Sequence, residues 1–223
     1  MPMNRKNIFE SFTVGGLLAI VGGYLDSYTY VIRGGVFSNA QTGNIILCAI
    51  NLSEGSFNRA IYYSIPVISF IIGILLSEYA KKKFISGGIF HWRHIMIIVE
   101  MIILGTVAFL PKGDWDFMAN ILVSLTCAIQ VETFRTLYGN PYATTMCTGN
   151  LRSGTEKLFF FIINRNNHEK KSFIQYYSII LFFVVGVIIG NVLTKVHHEM
   201  AILYTVGILF IVFLLLLLEE RSE

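Results

Sequence analysis

Six stretches of this chain are almost continuously apolar: 11–32, 60–79, 94–110, 117–137, 173–193 and 199–218. A helix needs about 20 apolar residues to cross a hydrocarbon core of roughly 30 Å, so each stretch predicts a membrane-spanning helix. Two further stretches, 36–52 and 141–163, are apolar only in part. Gln41-Thr42-Gly43-Asn44 interrupts the first, and polar residues from Thr144-Thr145 to Arg152 interrupt the second. These two predict re-entrant or broken half-helices, each turning at a Thr-Gly-Asn. Turn-forming residues separate the elements at Ser53-Glu54-Gly55, Ser86-Gly87-Gly88, Pro111-Lys112-Gly113-Asp114 and 164–171. Asp26 lies within the first stretch and no small-residue cleavage site follows it, which argues against a cleaved signal peptide.

The basic residues choose between two topologies. With six spans and both termini cytoplasmic, 13 of the 17 Lys and Arg residues lie inside, leaving Arg33, Arg59, Lys112 and Lys195 outside. If the interrupted stretches also crossed, making eight spans, eight would lie inside and seven outside, with Arg152 and Lys157 within the membrane. Loops on the cytoplasmic side carry the excess of Lys and Arg, so the charge pattern favours six.

The chain also matches itself. An offset of 106 pairs Thr42-Gly43-Asn44 with Thr148-Gly149-Asn150, and the same offset pairs Asp26 with Glu132. Further on, Tyr62-Tyr63-Ser64-Ile65 meets Tyr176-Tyr177-Ser178-Ile179 at 114, and Gly73 meets Gly186 at 113. The drift is expected to reflect a longer loop at 164–171. Two repeats follow, 11–110 and 117–218, within a single membrane domain covering 1–223. Each reads span, re-entrant element, span, span. Three crossings per half is odd, so the second half enters the membrane upside down, a recurrent transporter architecture.

Composition narrows the function classes. Hydrophobic residues make up 54% and charged residues 14%, with a mean hydropathy of +0.63. A soluble domain carries about 25% charged residues, too many for this chain to qualify. The net charge of +3 is small and the aromatics lie inside apolar runs, which excludes nucleic acid as a partner. Three cysteines without a CxxC pair give no disulfide framework and no Cys-based zinc module. His91, His94, His197 and His198 sit at span ends without the three or four converging ligands zinc needs, so no metal or other cofactor is expected. Neither GxSxG, HExxH nor a Walker loop is present, and the chain is not expected to be an enzyme.

Candidate chemistry sits at the repeated motifs. A glycine turn flanked by Thr and Asn can start a half-helix, and the free N–H groups there suit a polar group or anion. Irregular backbone at membrane depth must be buried in protein or line a water-filled cavity. Thr42, Gly43, Asn44, Thr148, Gly149 and Asn150 are therefore candidate substrate- or ion-binding residues; the plainer reading is that they only cap and pack. A carboxylate near the bilayer centre costs about 2.5–3.5 kcal/mol on insertion scales, which makes Asp26 and Glu132 candidate proton-coupling groups. Against that, Arg135 one turn after Glu132 suits a neutral strut, and Asp26 could cap a neighbouring half-helix. Glu100 also lies within a span, without a repeat partner. Small residues at Gly15, Ala19, Gly23 and Ser27, and at Gly73 with Ser77 and Gly186 with Gly190, predict close helix contact.

Two blocks carry a family resemblance. The first runs Gly22-Gly23-Tyr24-Leu25-Asp26-Ser27-Tyr28-Thr29-Tyr30, then Arg33-Gly34-Gly35-Val36-Phe37-Ser38-Asn39-Ala40-Gln41-Thr42-Gly43-Asn44. The second is Asn140-Pro141-Tyr142-Ala143-Thr144-Thr145-Met146-Cys147-Thr148-Gly149-Asn150-Leu151-Arg152. Together they resemble the YoaK family of bacterial multi-pass membrane proteins, whose function is unknown. The resemblance implies a protein of the bacterial cytoplasmic membrane and supplies no binding residues. The expected fold is an all-α integral membrane protein of six transmembrane helices in two inverted-topology repeats. The expected function is secondary transport of a small molecule, as an exporter, with proton coupling through the intramembrane carboxylates. A channel or facilitator and a non-transporting scaffold are the alternatives. Expected partners are a small-molecule substrate or ion and the lipid bilayer; a homo-oligomer is compatible with the sequence but not required by it.

Overall fold

The computed structural model describes residues 11–84, 92–137, 140–142 and 147–220. Eight α-helices make up almost all of it: α1 (Phe12–Ile32), α2 (Gln41–Ser53), α3 (Phe57–Phe84), α4 (Trp92–Val107), α5 (Asp116–Thr133), α6 (Cys147–Asn164), α7 (Asn167–His197) and α8 (Leu203–Glu220). A 3-10 turn, His198–Ile202, joins the last two. Thr136–Leu137 pairs with Asn140–Pro141 in a two-residue antiparallel ladder, the only strand pairing among the described residues. Two stretches, Phe57–Lys83 and Asn167–Leu218, are long and apolar enough to cross a membrane, and the second contains both α7 and α8. The expected turn at Ser86-Gly87-Gly88 lies outside the described residues.

Local chemistry sets the helix ends. Ser11 is extended and its hydroxyl accepts from Val14 N–H at 3.2 Å, satisfying one orphan donor at the start of α1. Asn166 does the same for α7, accepting from His168 N–H at 2.9 Å. That cap corrects the expected loop at 164–171: only Arg165, at φ 52°, and Asn166 break the helix. The offset between the halves grows inside helices instead: α6 has 18 residues where α2 has 13, and the matched Tyr176 lies nine residues past the start of α7 where Tyr62 lies five past the start of α3. The fourth apolar stretch also ends early. Phe134 closes α5, its N–H on Gln130 O at 3.1 Å, and the chain turns into the ladder at Thr136.

Between α1 and α2 the chain doubles back. Gly34 and Gly35 take φ of 82° and 75°, a left-handed bend that side chains resist, and a Cβ on Gly34 would collide with the Tyr62 hydroxyl. Residues 35–40 then descend beside α1. Ser38 Oγ donates to Thr29 Oγ1 at 2.9 Å, Asn39 N–H to Asp26 Oδ1 at 2.8 Å, and Asn39 Nδ2 to Gly22 O at 3.0 Å. Ten residues of α1 separate Ile32 from Gly22, about 15 Å of helix, so α2 starts close to halfway along α1. Its 13 residues, about 20 Å, carry the chain back toward the end it came from.

The core is shared by α1, α4, α5 and α8, with Tyr24, Leu104, Val123, Cys127 and Leu209 fully or almost fully buried. Helix α7 lies parallel to α1, and α3 parallel to α5. Both contacts rest on glycine, as the stripes of small residues predict. A Cβ on Gly186 would strike Ile20 O and one on Gly23 would strike Phe183 O. On the other side, a Cβ on Gly73 would stand 2.6 Å from Ala128 Cβ and 2.8 Å from Leu125 O. The packing has a regularity: α1 meets α7 as α5 meets α3, α2 meets α3 as α6 meets α7, and α4 meets α5 as α8 meets α1. Exchanging each helix of the first four for its counterpart in the second four leaves this pattern of neighbours unchanged.

Candidate functional site

The doubling back of residues 33–40 leaves α2 starting in the interior, and α6 starts near it. A cavity of about 760 Å³ lies between the two starts, the middle of α1 and the second half of α7. Such a volume suits a small organic molecule. Asp26 and Ser27 reach it from α1, Gln41 and Thr42 from α2, Thr148 and Gly149 from α6. The opposite wall, Phe183, Val187, Ile188 and Val192 of α7, is apolar except for Asn191. Tyr30 and Phe37, stacked with centroids 5.0 Å apart at 19°, complete the aromatic part of the lining.

The structure divides the eight candidate residues. Asp26, Thr42, Thr148 and Gly149 line the cavity together. Asp26 is only 6% exposed and its Oδ1 accepts from Asn39 N–H. Its carboxylate thus stands at the N-terminus of α2, where Ala40 offers no side-chain cap. An anion there is favoured by the helix dipole, by about 0.3–1 kcal/mol at exposed sites and more when buried. Asn44 points away: Nδ2 donates to Phe37 O at 2.6 Å and to Gln41 Oε1 at 3.0 Å, and Oδ1 accepts from Phe37 N–H at 3.3 Å. It buckles the α2 turn to the descending segment. Gly43 serves the same contact, since a Cβ there would meet the Phe37 ring at 3.1 Å. Asn150 is buried and does not line the cavity.

Glu132 is elsewhere, at the far end of α5. Arg135 Nη1 donates to its Oε1 at 3.0 Å, and the same guanidinium lies 3.9 Å from Glu78 on α3. This is the i,i+3 strut that the spacing suggested. The exchange of halves maps Asn191 of the cavity onto Glu78, so equivalent places hold an Asp with an amide in one half and two Glu with an Arg in the other. Of the cysteines, Cys147 lines the cavity, Cys127 is buried in the core, and Cys48 does neither.

Sequence reasoning overlooked several of these groups. Asn39 and Gln41 stand directly before the first Thr-Gly-Asn and were visible in the same polar run. Asn191 could have been found as a lone amide in an apolar stretch. The buried clamp at Arg33 was not foreseeable from pattern. Its side chain is fully buried, bonded to Asp116 Oδ1 at 2.9 Å, Leu110 O at 2.8 Å, Tyr28 OH at 2.9 Å and Pro111 O at 3.2 Å. Nearby, Tyr24 OH donates to Ala201 O at 2.6 Å and Lys112 N–H to Glu199 Oε1 at 3.1 Å. One end of the bundle therefore gathers Arg33, the α4–α5 connection and the α7–α8 turn.

Residues 14–215 match the model of a family described as protein of unknown function, DUF1275. The chain belongs to this family. The YoaK proteins are members of it, so the match agrees with the resemblance carried by the two Thr-Gly-Asn blocks. Neither a curated protein nor a solved structure matches the chain. Family membership thus fixes kinship and leaves the chemistry of the cavity to be argued from its residues.

Proposed function

We propose that the protein is a small-molecule secondary transporter of the bacterial cytoplasmic membrane, acting as an exporter, with six spans in two inverted halves and both termini cytoplasmic. The observation that carries this reading is the cavity: two half-helices start at it, near the middle of the bundle, beside a buried carboxylate. Irregular backbone at membrane depth is tolerated where it lines such a space. The three pairings of helices that recur on exchange of the halves support a duplicated and inverted architecture. Asp26 would change charge as the cavity alternates between the two sides, with Thr42, Thr148 and the first turn of α6 holding the solute. Glu132 occupies the related position in the other half, and its ion pair with Arg135 would stand in for a proton there.

The cysteines test this reading. In single-cysteine variants of the full chain in membrane vesicles, Cys147 should react with a small membrane-impermeant thiol reagent, whereas Cys127 should remain inert. A Cys147 as inert as Cys127 would mean that water does not reach the cavity, and the scaffold alternative would replace the transporter.

A further inference from the structure

Glu100 sits in the middle of α4, fully buried, outside the cavity. Neither of its carboxylate oxygens has a hydrogen-bond partner or an ion pair among the described residues. An isolated carboxylate in an apolar interior is opposed by the Born cost of an unsolvated charge, and the cheaper state is the neutral acid. The groups on neighbouring elements offer no compensation. The ionisable side chains of α5 are Asp116 at its first position, Glu132 near its end, paired with Arg135, and the buried thiol of Cys127. Between Leu203 and Leu218, α8 has only Tyr204, which is exposed. On α3 the charged groups are Arg59 near its start and Glu78 with Lys81, Lys82 and Lys83 near its end; the 3-10 turn has His198 and Glu199 at its first two positions. On α4 itself, Arg93 and His94 lie six or more residues away, at the first turn.

Glu100 is one of several buried groups left open. Ser124 Oγ, Asn120 Oδ1 and Thr133 Oγ1, all on α5, and Asn39 Oδ1 beside Asp26 also lack partners. Unsatisfied buried polar atoms are rare in folded proteins, and each one calls for its own account, such as a bound water, an ion or a proton. We infer that Glu100 is a proton-binding site in the α4–α5–α8 core, holding its proton at neutral pH and separate from the cavity at Asp26. The inference does not depend on transport, since it follows from the enclosure of the side chain alone.

Infrared spectroscopy of the full chain in detergent at neutral pH tests it. The wild type should show the carbonyl stretch of a protonated carboxylic acid, and that band should move when glutamate is labelled with ¹³C at the side-chain carboxyl. The labelled component should persist in Asp26→Asn and Glu132→Gln and be lost in Glu100→Gln. Absence of a label-sensitive band in the wild type, which requires no variant to fold, overturns the inference. So does its loss in Glu132→Gln with survival in Glu100→Gln.

Discussion

A charged side chain without exposure needs its whole surroundings built for it, and Arg33 shows how. Three carbonyls, a phenol and one carboxylate take its donors, and Asp116 supplies the only negative charge among them. Breaking a buried ion pair by removing one member costs about 3–5 kcal/mol, because the surviving charge is stranded. Asp116 is 15% exposed, so water can partly replace it, and the lower figure applies. Asp116→Ala should therefore lose about 3 kcal/mol in thermal or denaturant unfolding in detergent; a loss below about 1 kcal/mol would mean the carbonyls alone satisfy Arg33. Arg33 also marks a boundary of sequence reading. An acid inside an apolar run, such as Asp26, is conspicuous because nothing local excuses it. An arginine before Gly34-Gly35 looks like an ordinary loop cation, and the partners that bury it lie about 80 positions away in the chain.

Helices were legible where apolar length alone decides them, and the six long stretches correspond to α1, α3, α4, α5, α7 and α8. What the pattern missed lies at the ends, where single hydrogen bonds decide: the Asn166 cap that shortens a loop, and the exit from α5 at Phe134. The glycine stripes were legible because their period is that of a helix face, and their energetic weight can be measured. Gly186 and Gly73 occupy matching places in the two parallel pairs, each against neighbouring backbone. Gly207, on α8, has open space where its Cβ would go. Gly186→Ala and Gly73→Ala should each cost about 1–3 kcal/mol by forcing the paired helices apart. Gly207→Ala should be neutral or gain up to about 1 kcal/mol from helix propensity. Melting temperatures of the three variants make the comparison. If Gly186→Ala melts like Gly207→Ala, α1 and α7 have room between them and the close contact is not what holds the pair.

At the scale of the molecule, the proposed number of crossings is tested by which loops share an end. Arg33 bonds the carbonyls of Leu110 and Pro111, so the exit from α1 and the α4–α5 connection lie together. An eight-span arrangement places those two loops on opposite faces of the membrane and is incompatible with that contact. Six spans place them on the same face, together with the α7–α8 turn that Tyr24 and Tyr28 hold. The break at Arg165 and Asn166 belongs to the opposite end, where Lys157 pairs with Glu169 at 3.2 Å. Asp114 is exposed in the first group and Arg165 in the second, so both can be replaced by cysteine in a chain whose own cysteines are removed. With six spans, Asp114→Cys should react with an impermeant reagent on intact cells, and Arg165→Cys only after the cells are opened. With eight, both positions face the cytoplasm and neither would react on intact cells. Labelling of Arg165→Cys from outside, with Asp114→Cys protected, would keep the six spans but reverse the orientation. The excess of basic residues at the Arg165 end would then face outward, against the usual inward bias.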